Sequence, residues 1–353
     1  MSETNMEART LRKDHQVQGK TSAPSVSPVM SPSMLVTLKA ELSDMEPSQL
    51  AKARAWANPA EGIGRLGFMN RAAVKMAELD AIFQLTVPPK ECSRAKRPRM
   101  GEKSMFERSF SSGHLTFVDL CGGPGGFSEY ILWRVRTSGD PVKGWGMTLR
   151  RLIEADRGTE REAPDFHLDS FREETNVRDS MNLIYGPDST GDILDSKNRE
   201  TLSMDVDRVT HGQGVHLVTA DGAFDVVGHE ALQEVLSGHL LLAQVHLGLS
   251  LLCLGGQFVC KFFDASTPLT KSLLYTMTKC FTTVELVKPM TSRPANSERY
   301  LVAREFLGMS HAMKDRMNRA MCSAGLGQDP VDAFSADPPP SSFSITLDKL
   351  NQW

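Results

Sequence analysis

The sequence lacks clustered cysteines, a strong charge of either sign and a long uninterrupted hydrophobic run. Its 6 cysteines are scattered with no CxxC pair, so we expect neither a metal site nor a disulfide framework, but a reduced intracellular protein. The net charge of −3 argues against a chain that coats nucleic acid. With 353 residues, 40% of them hydrophobic, the chain is nevertheless long enough to bury a substantial core.

No segment of the sequence predicts insertion into a membrane. Met1–Lys20 is polar and mixed in charge, unlike a signal peptide. The most apolar run, His239–Gly256, contains His239, Gln244 and His246, and this predicts a buried helix instead of a membrane span. We therefore expect no association with membranes.

Both ends of the chain have the composition of disordered segments. Gln16–Ser33 is rich in Ser, Pro, Val and Thr and cannot bury enough apolar surface to offset its ordering entropy. A similar stretch near the C-terminus reads DPVDAFSADPPPSSFSI. We predict a disordered tail over residues 1–45, one folded domain over 46–310 and a partly disordered tail over 311–353.

One segment concentrates positive charge. The stretch KECSRAKRPRMGEKSMFER (90–108) has seven basic residues against three acidic ones. A solvated loop, a surface that faces phosphates and a nuclear import signal are all compatible with this composition.

Apolar strands alternate with helices through the predicted domain. Such alternation is typical of the α/β class, with a mostly parallel sheet covered by helices on both faces. Two late strands with little chain between them predict an antiparallel hairpin at one edge, whereas a polar, acidic insert over about 150–214 gives few signals. The predicted strands are LTFVDL (115–120), VKGWGMTL (142–149), VHLVTADG (215–222), QFVCKFF (257–263), TVELVKP (283–289) and RYLVAREF (299–306), and the predicted helices cover 67–83, 127–136, 230–254 and 268–281.

The junction FVDLCGGPGGFSEYILW (117–133) joins the first of these strands to a helix through four glycines and a proline. A helix that starts after such a turn offers free N–H groups to a carboxylate or a phosphate. The turn lacks the Lys of a Walker phosphate loop, and it lacks the GxGxxG spacing and following acid of a dinucleotide site. S-adenosylmethionine carries a carboxylate and no phosphate, so it suits this turn. A tight turn that binds no ligand has the same composition.

Six separated blocks agree in order and spacing with one enzyme family. They are FMNRAAVKM, FVDLCGGPGGFSEYILWR, KGWGMTL, ADGAFDVVGHEALQE, CKFF and SRPANSERY. From about Asn58 to Phe306 the sequence resembles the cap-specific mRNA (nucleoside-2′-O-)-methyltransferase 1 family of FtsJ-like RNA ribose 2′-O-methyltransferases. This resemblance implies a Rossmann-like, mostly parallel seven-stranded sheet and S-adenosyl-L-methionine as the cofactor. Larger members carry accessory modules for which this chain has no room, so it is similar to the compact form of unicellular eukaryotes.

Four charged residues are candidates for the chemistry. Asp221 and Lys261 each end a predicted strand, so both reach the carboxyl edge of the sheet that the glycine turn also occupies. The resemblance adds Lys75 and Glu298, which complete the family's Lys-Asp-Lys-Glu tetrad. It implies that Lys261 accepts the proton of a ribose hydroxyl and that Lys75 orients the ribose. The two carboxylates would hold and tune the lysines. A lysine can act as such a base when burial or cationic neighbours lower its pKa toward roughly 7–8.

The resemblance also implies binding residues. Cofactor contacts are expected at Cys121, Gly122, Gly123, Pro124, Gly125, Gly126 and Phe127 of the turn and at Asp192 and Ile193 of the sequence GDI. Substrate contacts are expected at Arg54, Asn70, Ala231, Leu232, Gln233 and Asn296. Arg71 and Arg293 are further candidates on chemical grounds, because a capped 5′ end brings three linked phosphates, but a surface role for both stays open.

The expected function is methylation of the ribose 2′-oxygen of the first transcribed nucleotide of m7G-capped RNA, which converts cap 0 into cap 1. Alternatives are the same chemistry on the second cap nucleotide or on ribosomal RNA, and a catalytically silent cap-binding protein. A dehydrogenase is disfavoured by the missing acid after the second strand. Capped RNA is the expected partner, and the capping or transcription machinery is a further candidate. We expect the protein to be a monomer and to be located in the nucleus.

Overall fold

The computed structural model describes residues 9–10, 41, 45–87, 114–150, 165–172, 180–223, 233–294 and 296–350. The basic segment 90–108 and most of the predicted N-terminal tail lie outside these ranges. Among the described residues, no helix combines the length and apolar character that crossing a membrane requires.

Eight strands of the described residues form one sheet. They are β1 (Arg9–Thr10), β2 (Leu115–Leu120), β3 (Val142–Met147), β4 (Met181–Leu183), β5 (Val215–Ala220), β6 (Leu252–Phe262), β7 (Phe281–Val287) and β8 (Arg299–Phe306). Their order across the sheet is β1-β7-β8-β6-β5-β2-β3-β4. The α/β class and the seven-stranded, mostly parallel sheet are confirmed, and the two-residue β1 adds an eighth strand by pairing antiparallel with β7.

Helices cover both faces of this sheet. They are α1 (Pro47–Ala57), α2 (Arg71–Phe83), α3 (Gly126–Thr137), α4 (Ser196–Thr210), α5 (Gln233–Leu251), α6 (Pro268–Cys280), α7 (His311–Gly325) and α8 (Ser341–Leu350). On one face, α2 and α3 bury Met76, Leu79 and Ile131 against the sheet. On the other face, α5 and α6 contribute Leu242 and Met277 to a separate apolar cluster.

The order of the strands reverses between β2 and β5. The chain adds β3 and then β4 on one side of β2, whereas β5 pairs parallel with its other side. In open parallel sheets, such a reversal opens a crevice at the carboxyl ends of the two strands. The turn that begins at Cys121 and the residue Asp221 follow β2 and β5 directly, so both lie at this crevice.

The predicted hairpin is also confirmed. β7 and β8 pair antiparallel, and β8 inserts between β7 and β6, so it runs against both neighbours. Lys261 in β6 lies opposite Tyr300 in β8. This register places the last residues of β6 beside the first residues of β8.

The described part of the acidic insert contains a strand, an α-helix and a short 3₁₀ helix (Leu168–Ser170) that the sequence did not predict. β4 extends the sheet with only three residues, and α4 buries Asn198, Leu202, Val206 and Thr210 along one stripe. Only two of those four buried residues are apolar, and the hydrophobic period is therefore too weak to indicate a helix from the sequence.

The prediction of a partly disordered C-terminal tail over 311–353 differs from the structure. Residues 311–325 and 341–350 are helical, and a short 3₁₀ helix (Pro330–Phe334) lies between them. Phe334 and Leu347 are buried in the same cluster as α5 and α6. The sequence did not indicate that these two residues are buried, because single apolar residues in a polar, proline-rich segment show no hydrophobic periodicity.

Phe334→Ala will lower the free energy of unfolding by roughly 3 kcal/mol, because it deletes a large side chain that is 2% exposed. Chemical denaturation of the full chain measures this change. Leu326→Ala is the matched control, since that side chain is 74% exposed and its loss should change stability by less than about 0.5 kcal/mol. Equal effects of the two substitutions would contradict a packed C-terminal segment.

Candidate active site

The glycine turn that joins β2 to α3 is shaped by its protein neighbours. A Cβ on Gly122 would collide with the Asp119 carboxyl group, and one on Gly126 would collide with Oδ1 of Asn70. Gly125 has a φ of +114°, and a Cβ there would lie 2.5 Å from Cζ of Phe171. The packing of the fold itself therefore requires these glycines. Their presence brings Asn70 and Phe171 against the turn.

Asn70 fixes where α2 begins. The sequence predicted a helix from residue 67, but α2 starts at Arg71 because Oδ1 of Asn70 accepts hydrogen bonds from the backbone N–H groups of Ala72 (2.9 Å) and Ala73 (3.3 Å). The expected substrate residue Asn70 thus caps α2 and touches the first residue of α3.

Asp119, near the end of β2, packs its carboxyl group against Gly122 of the turn. Its carboxylate is fully buried and accepts hydrogen bonds from the hydroxyl groups of Ser128 (2.6 Å) and Thr219 (2.8 Å). Burial, which disfavours the charged form, raises the pKa of Asp119 to about 6, against the effect of these two donors. The carboxylate connects β2, the first turn of α3 and β5.

The sequence GDI lies beside the same turn. A Cβ on Gly191 would collide with the carbonyl oxygen of Thr148, the residue after the end of β3. Ile193 is buried, and Asp192 is close enough to contribute, with Asp119, to the raised pKa of the Cys121 thiol, for which burial is the main cause. The structure therefore brings the two separate sets of expected cofactor residues to one edge of the sheet.

Lys261 and Asp221 form one charged pair of the candidate site. Nζ of Lys261 lies 3.1 Å from Oδ1 of Asp221 and donates to the Asp221 backbone carbonyl at 2.5 Å. Side chains alternate along a strand, and Lys261 follows Val259 on the face that α2 and α3 cover. This alternation directs the lysine toward the turn instead of toward α5.

Lys75 and Glu298 form a second pair on the same face. Nζ of Lys75, in α2, lies 2.6 Å from Oε1 of Glu298, which also accepts a hydrogen bond from the Ser292 hydroxyl at 2.7 Å. Glu298 immediately precedes β8. The two pairs thus come from four elements that are far apart in sequence.

Tyr300 connects the two pairs and was missed by the sequence analysis. Its hydroxyl donates to Oδ1 of Asp221 at 2.7 Å, and its ring centre lies 5.9 Å from Nζ of Lys75. The same ring is fully buried, with its centroid 6.0 Å from that of Phe127 in α3. The only sequence signal was its position two residues after Glu298, which places both residues on one side of β8.

The electrostatics of Lys261 differ from the expectation. Burial tends to lower the pKa of this amine, but the carboxylates of Asp221 and Glu298 outweigh burial and raise it above its ordinary value. Glu298 responds in the opposite sense: burial tends to raise its pKa, but Lys75 and Lys261 lower it. The structure therefore shows a raised pKa for Lys261 instead of the lowered value that favours a base. The cause is the presence of two acids.

Three arginines gather around one carboxylate next to these pairs. Glu61 forms ion pairs with Arg71 and, at 3.3 Å, with Arg293. Burial and the charge of Arg293 lower the pKa of Arg54, so its guanidinium is close enough to these charges to interact with them electrostatically. Arg71 also donates to the carbonyl of Thr291 at 2.6 Å, one residue before Ser292. The cluster has more positive than negative groups and is linked to Glu298 through Ser292.

The remaining expected substrate residues are Ala231, Leu232, Gln233 and Asn296. Ala231 and Leu232 lie outside the described residues, and Gln233 is the first residue of α5. The Asn296 side chain accepts a hydrogen bond from the backbone N–H of Glu298 at 3.0 Å. This contact places Asn296 beside Glu298. The described residues contain no cluster of His, Cys, Asp and Glu that could hold a metal ion.

Comparison with known proteins gives one family match over most of the folded region. Residues 68–306 match the FtsJ-like methyltransferase family. Over 287 residues the chain is 38% identical to the cap-specific mRNA (nucleoside-2′-O-)-methyltransferase 1 of Danio rerio, an alignment that covers 80% of this chain and 32% of that protein. It is 36% identical over 274 residues to the inactive cap-specific mRNA (nucleoside-2′-O-)-methyltransferase 1B of Caenorhabditis briggsae, covering 76% of this chain and 31% of that protein.

The chain therefore spans about a third of the length of the curated relatives it matches. Among solved structures, a Plasmodium falciparum protein described as a ribosomal RNA methyltransferase is 18% identical, with a TM-score of 0.41 and coverage of 69% of this chain and 100% of that one.

Asp119→Asn should remove a pH dependence of stability. The carboxyl has an ordinary pKa of 3.8 and a folded pKa of about 6, so the folded state binds more protons between these values. The stability that this group contributes is thus present below about pH 4 and is lost as the pH rises through about 6. Unfolding by urea at several pH values from 4 to 7 measures this slope.

As the pH rises from 4 to 7, the wild type should lose stability relative to Asp119→Asn, so the unfolding free energy of the variant minus that of the wild type should increase. Asp140→Asn, a change at an exposed carboxylate, should keep the wild-type profile. A constant difference between Asp119→Asn and wild type over this range would show that Asp119 titrates normally.

Proposed function

This chain belongs to the FtsJ-like methyltransferase family, and from that premise we propose that it methylates the ribose 2′-oxygen of the first transcribed nucleotide of m7G-capped RNA, with S-adenosyl-L-methionine as the methyl donor. The observation that carries the proposal is the convergence of two lysine–carboxylate pairs beside the glycine turn, at the point where the strand order reverses. Transfer to a hydroxyl needs a group that accepts its proton, and a lysine held in place at the reacting edge can serve.

The residues at the turn fit the donor. α3 begins after Gly125 with no side-chain cap, so the positive end of the helix faces the crevice and suits a carboxylate. Asp192 and Ile193 offer a polar and an apolar contact for an adenosine at the ends of β3 and β4. When bound, S-adenosylmethionine supplies an electrophilic methyl group on a positively charged sulfur.

Lys261 is the proposed proton acceptor, and Asp221 orients its amine through the contact at 3.1 Å. The raised pKa of Lys261 means that its amine is protonated while the charges of Asp221 and Glu298 dominate its surroundings. A positive charge brought close to the amine lowers that pKa, because like charges disfavour the protonated form. The base thus becomes available when the site is filled with a cationic ligand. Lys75, paired with Glu298, is placed to bind the ribose.

Capped RNA is the proposed substrate class. The cluster of Arg54, Arg71 and Arg293 lies next to the lysine–carboxylate pairs, and guanidinium groups bind phosphate oxygens through paired hydrogen bonds. A capped 5′ end presents three linked phosphates before the first ribose, so one cluster can hold the bridge while the tetrad reaches the hydroxyl. The relatives whose names specify capped mRNA support this substrate over an internal ribosomal site.

A catalytically silent protein is the second candidate, because one relative is named inactive. Both lysine–carboxylate pairs are complete in this chain, and a protein that only binds a cap has no use for two buried amines with matched acids. We propose the nucleus as the place of action, since transcripts receive their caps there. We also propose that the protein is a monomer and that its protein partner is the capping or transcription machinery.

A panel of RNAs tests the proposed substrate. The protein is incubated with labelled S-adenosylmethionine and RNAs that end in cap 0, cap 1 or a bare triphosphate, and the methylated nucleotide is mapped after digestion. We expect label on cap 0 alone, at the first nucleotide. Label on the second nucleotide of cap 1 would favour the alternative position, label on triphosphate RNA would refute cap specificity, and no label on any RNA would favour the silent protein.

Lys261→Met tests the proton acceptor. The substitution keeps the aliphatic stem and removes the amine, so methyl transfer should fall by at least about 100-fold. Cofactor affinity, measured by calorimetry, should change by less than about threefold. Lys314→Met, on the exposed surface of α7, is the control and should retain wild-type transfer. A Lys261→Met enzyme with near wild-type turnover would disprove the assignment of the base.

A further inference from the structure

The segment that carries Glu298 lies between two strands and is held by α2. Residues 288–298 link β7 to β8, and residue 295 lies outside the described ranges. On one side α2 holds this segment: the Glu78 carboxylate accepts hydrogen bonds from the backbone N–H groups of Met290 (2.6 Å) and Thr291 (3.1 Å). Arg71 donates to the Thr291 carbonyl at 2.6 Å.

Lys288 holds the other side of the same segment. Its Nζ donates to the backbone carbonyl of Asn296 and, at 3.2 Å, to that of Glu298. The side chain at the start of the segment thus crosses to its end and closes it into a loop. Both acceptors of this amine among the described residues are main-chain oxygens, and one of them belongs to the residue that pairs with Lys75.

This placement is electrostatically unfavourable for a lysine. Burial, Arg299 and Lys75 lower the pKa of Lys288, while Glu298 and Asp264 raise it, and the result is a pKa of about 8. A surface lysine without a role would turn toward water and keep its full charge. Lys288 instead stays among these groups, where its amine can reach two carbonyl oxygens.

We propose that Lys288 is a positioning residue of the methyl-transfer site, which by bridging the carbonyls of Asn296 and Glu298 holds the Glu298 carboxylate against Lys75 and within reach of Lys261. The described hydrogen bonds of its amine go to main-chain oxygens and not to the side chains of either pair. It acts through the backbone on each side of Ser297, and Ser292 and Asn296 complete the support from within the loop. This inference rests on the proposed methyl-transfer function.

The bridge that Lys288 forms should depend on pH. Below about pH 8 the ammonium group has three N–H donors for its two carbonyl partners, and above it the neutral amine has fewer donors and no charge. An arginine at the same position stays protonated throughout, because its pKa exceeds about 12. The ratio of transfer rates of Lys288→Arg to wild type should therefore rise between pH 7 and pH 9, whatever pH dependence Lys261 adds to both.

The test compares Lys288→Met, Lys288→Arg and the exposed control Lys314→Met in the full chain, with cap 0 RNA and S-adenosylmethionine. We expect Lys288→Met to lower kcat by 10- to 100-fold while KM for RNA and for the cofactor changes by less than threefold. Lys288→Arg should recover most of kcat at pH 7. Hydrogen–deuterium exchange of the peptide that spans 289–298 should rise in Lys288→Met and not in Lys314→Met.

Several outcomes would overturn this inference. An increase in KM for RNA with unchanged kcat would show that Lys288 binds the substrate directly, and unchanged kcat and exchange would show that the bridge does nothing. A ratio of transfer rates of Lys288→Arg to wild type that does not change with pH would contradict the bridge. If, in addition, Lys288→Met loses activity only in proportion to its lower melting temperature, the role of Lys288 is purely structural. If wild type itself transfers no methyl group, the proposed function fails instead, and the exchange measurement still decides whether Lys288 closes the loop.

Discussion

Two lysine side chains that are little exposed each pair with a carboxylate at the edge of this sheet. Lys261 pairs with Asp221 and Lys75 with Glu298, and removing either acid would leave a mostly covered lysine without its partner. This constraint ties four distant elements together, since β6, the end of β5, α2 and the start of β8 must all keep their places for both pairs to form. Tyr300 reinforces the link, because its hydroxyl binds one pair and its ring lies beside the other.

The rest of the fold supplies these positions. The reversal between β2 and β5 opens the crevice, and Asp119 binds the turn to β5 through the Thr219 hydroxyl. Two of the segments that carry substrate candidates are anchored on α2: Asn70 caps its first turn, and Arg71 and Glu78 hold the loop before Glu298. The arginine cluster and the lysine–carboxylate pairs therefore share one support, which would keep the triphosphate and the ribose of the proposed substrate at a fixed separation.

The strands that the sequence predicted best are those with continuous apolar runs. β2 and β8 have the predicted bounds, because their residues are buried on both faces or nearly so. β4, α4 and the C-terminal helices escaped prediction, since their buried residues are few, partly polar and separated by turns. In the site, Asp221 and Lys261 followed from their position at strand ends, whereas the pairing of Lys75 with Glu298 came only from the family resemblance. Tyr300 and Lys288 gave no usable signal.

By itself the sequence determined the α/β class, the edge of the sheet on which the chemistry should occur and the residue types available there, because hydrophobic periods and strand ends are local properties. Only the tertiary structure decided which charges meet. The pKa of Lys261 shows the difference: burial of a lysine predicts a lowered value, but two acids that arrive from other parts of the chain raise it. Electrostatic interactions depend on distance in space, and that distance is fixed by strand order, register and helix packing rather than by separation along the chain.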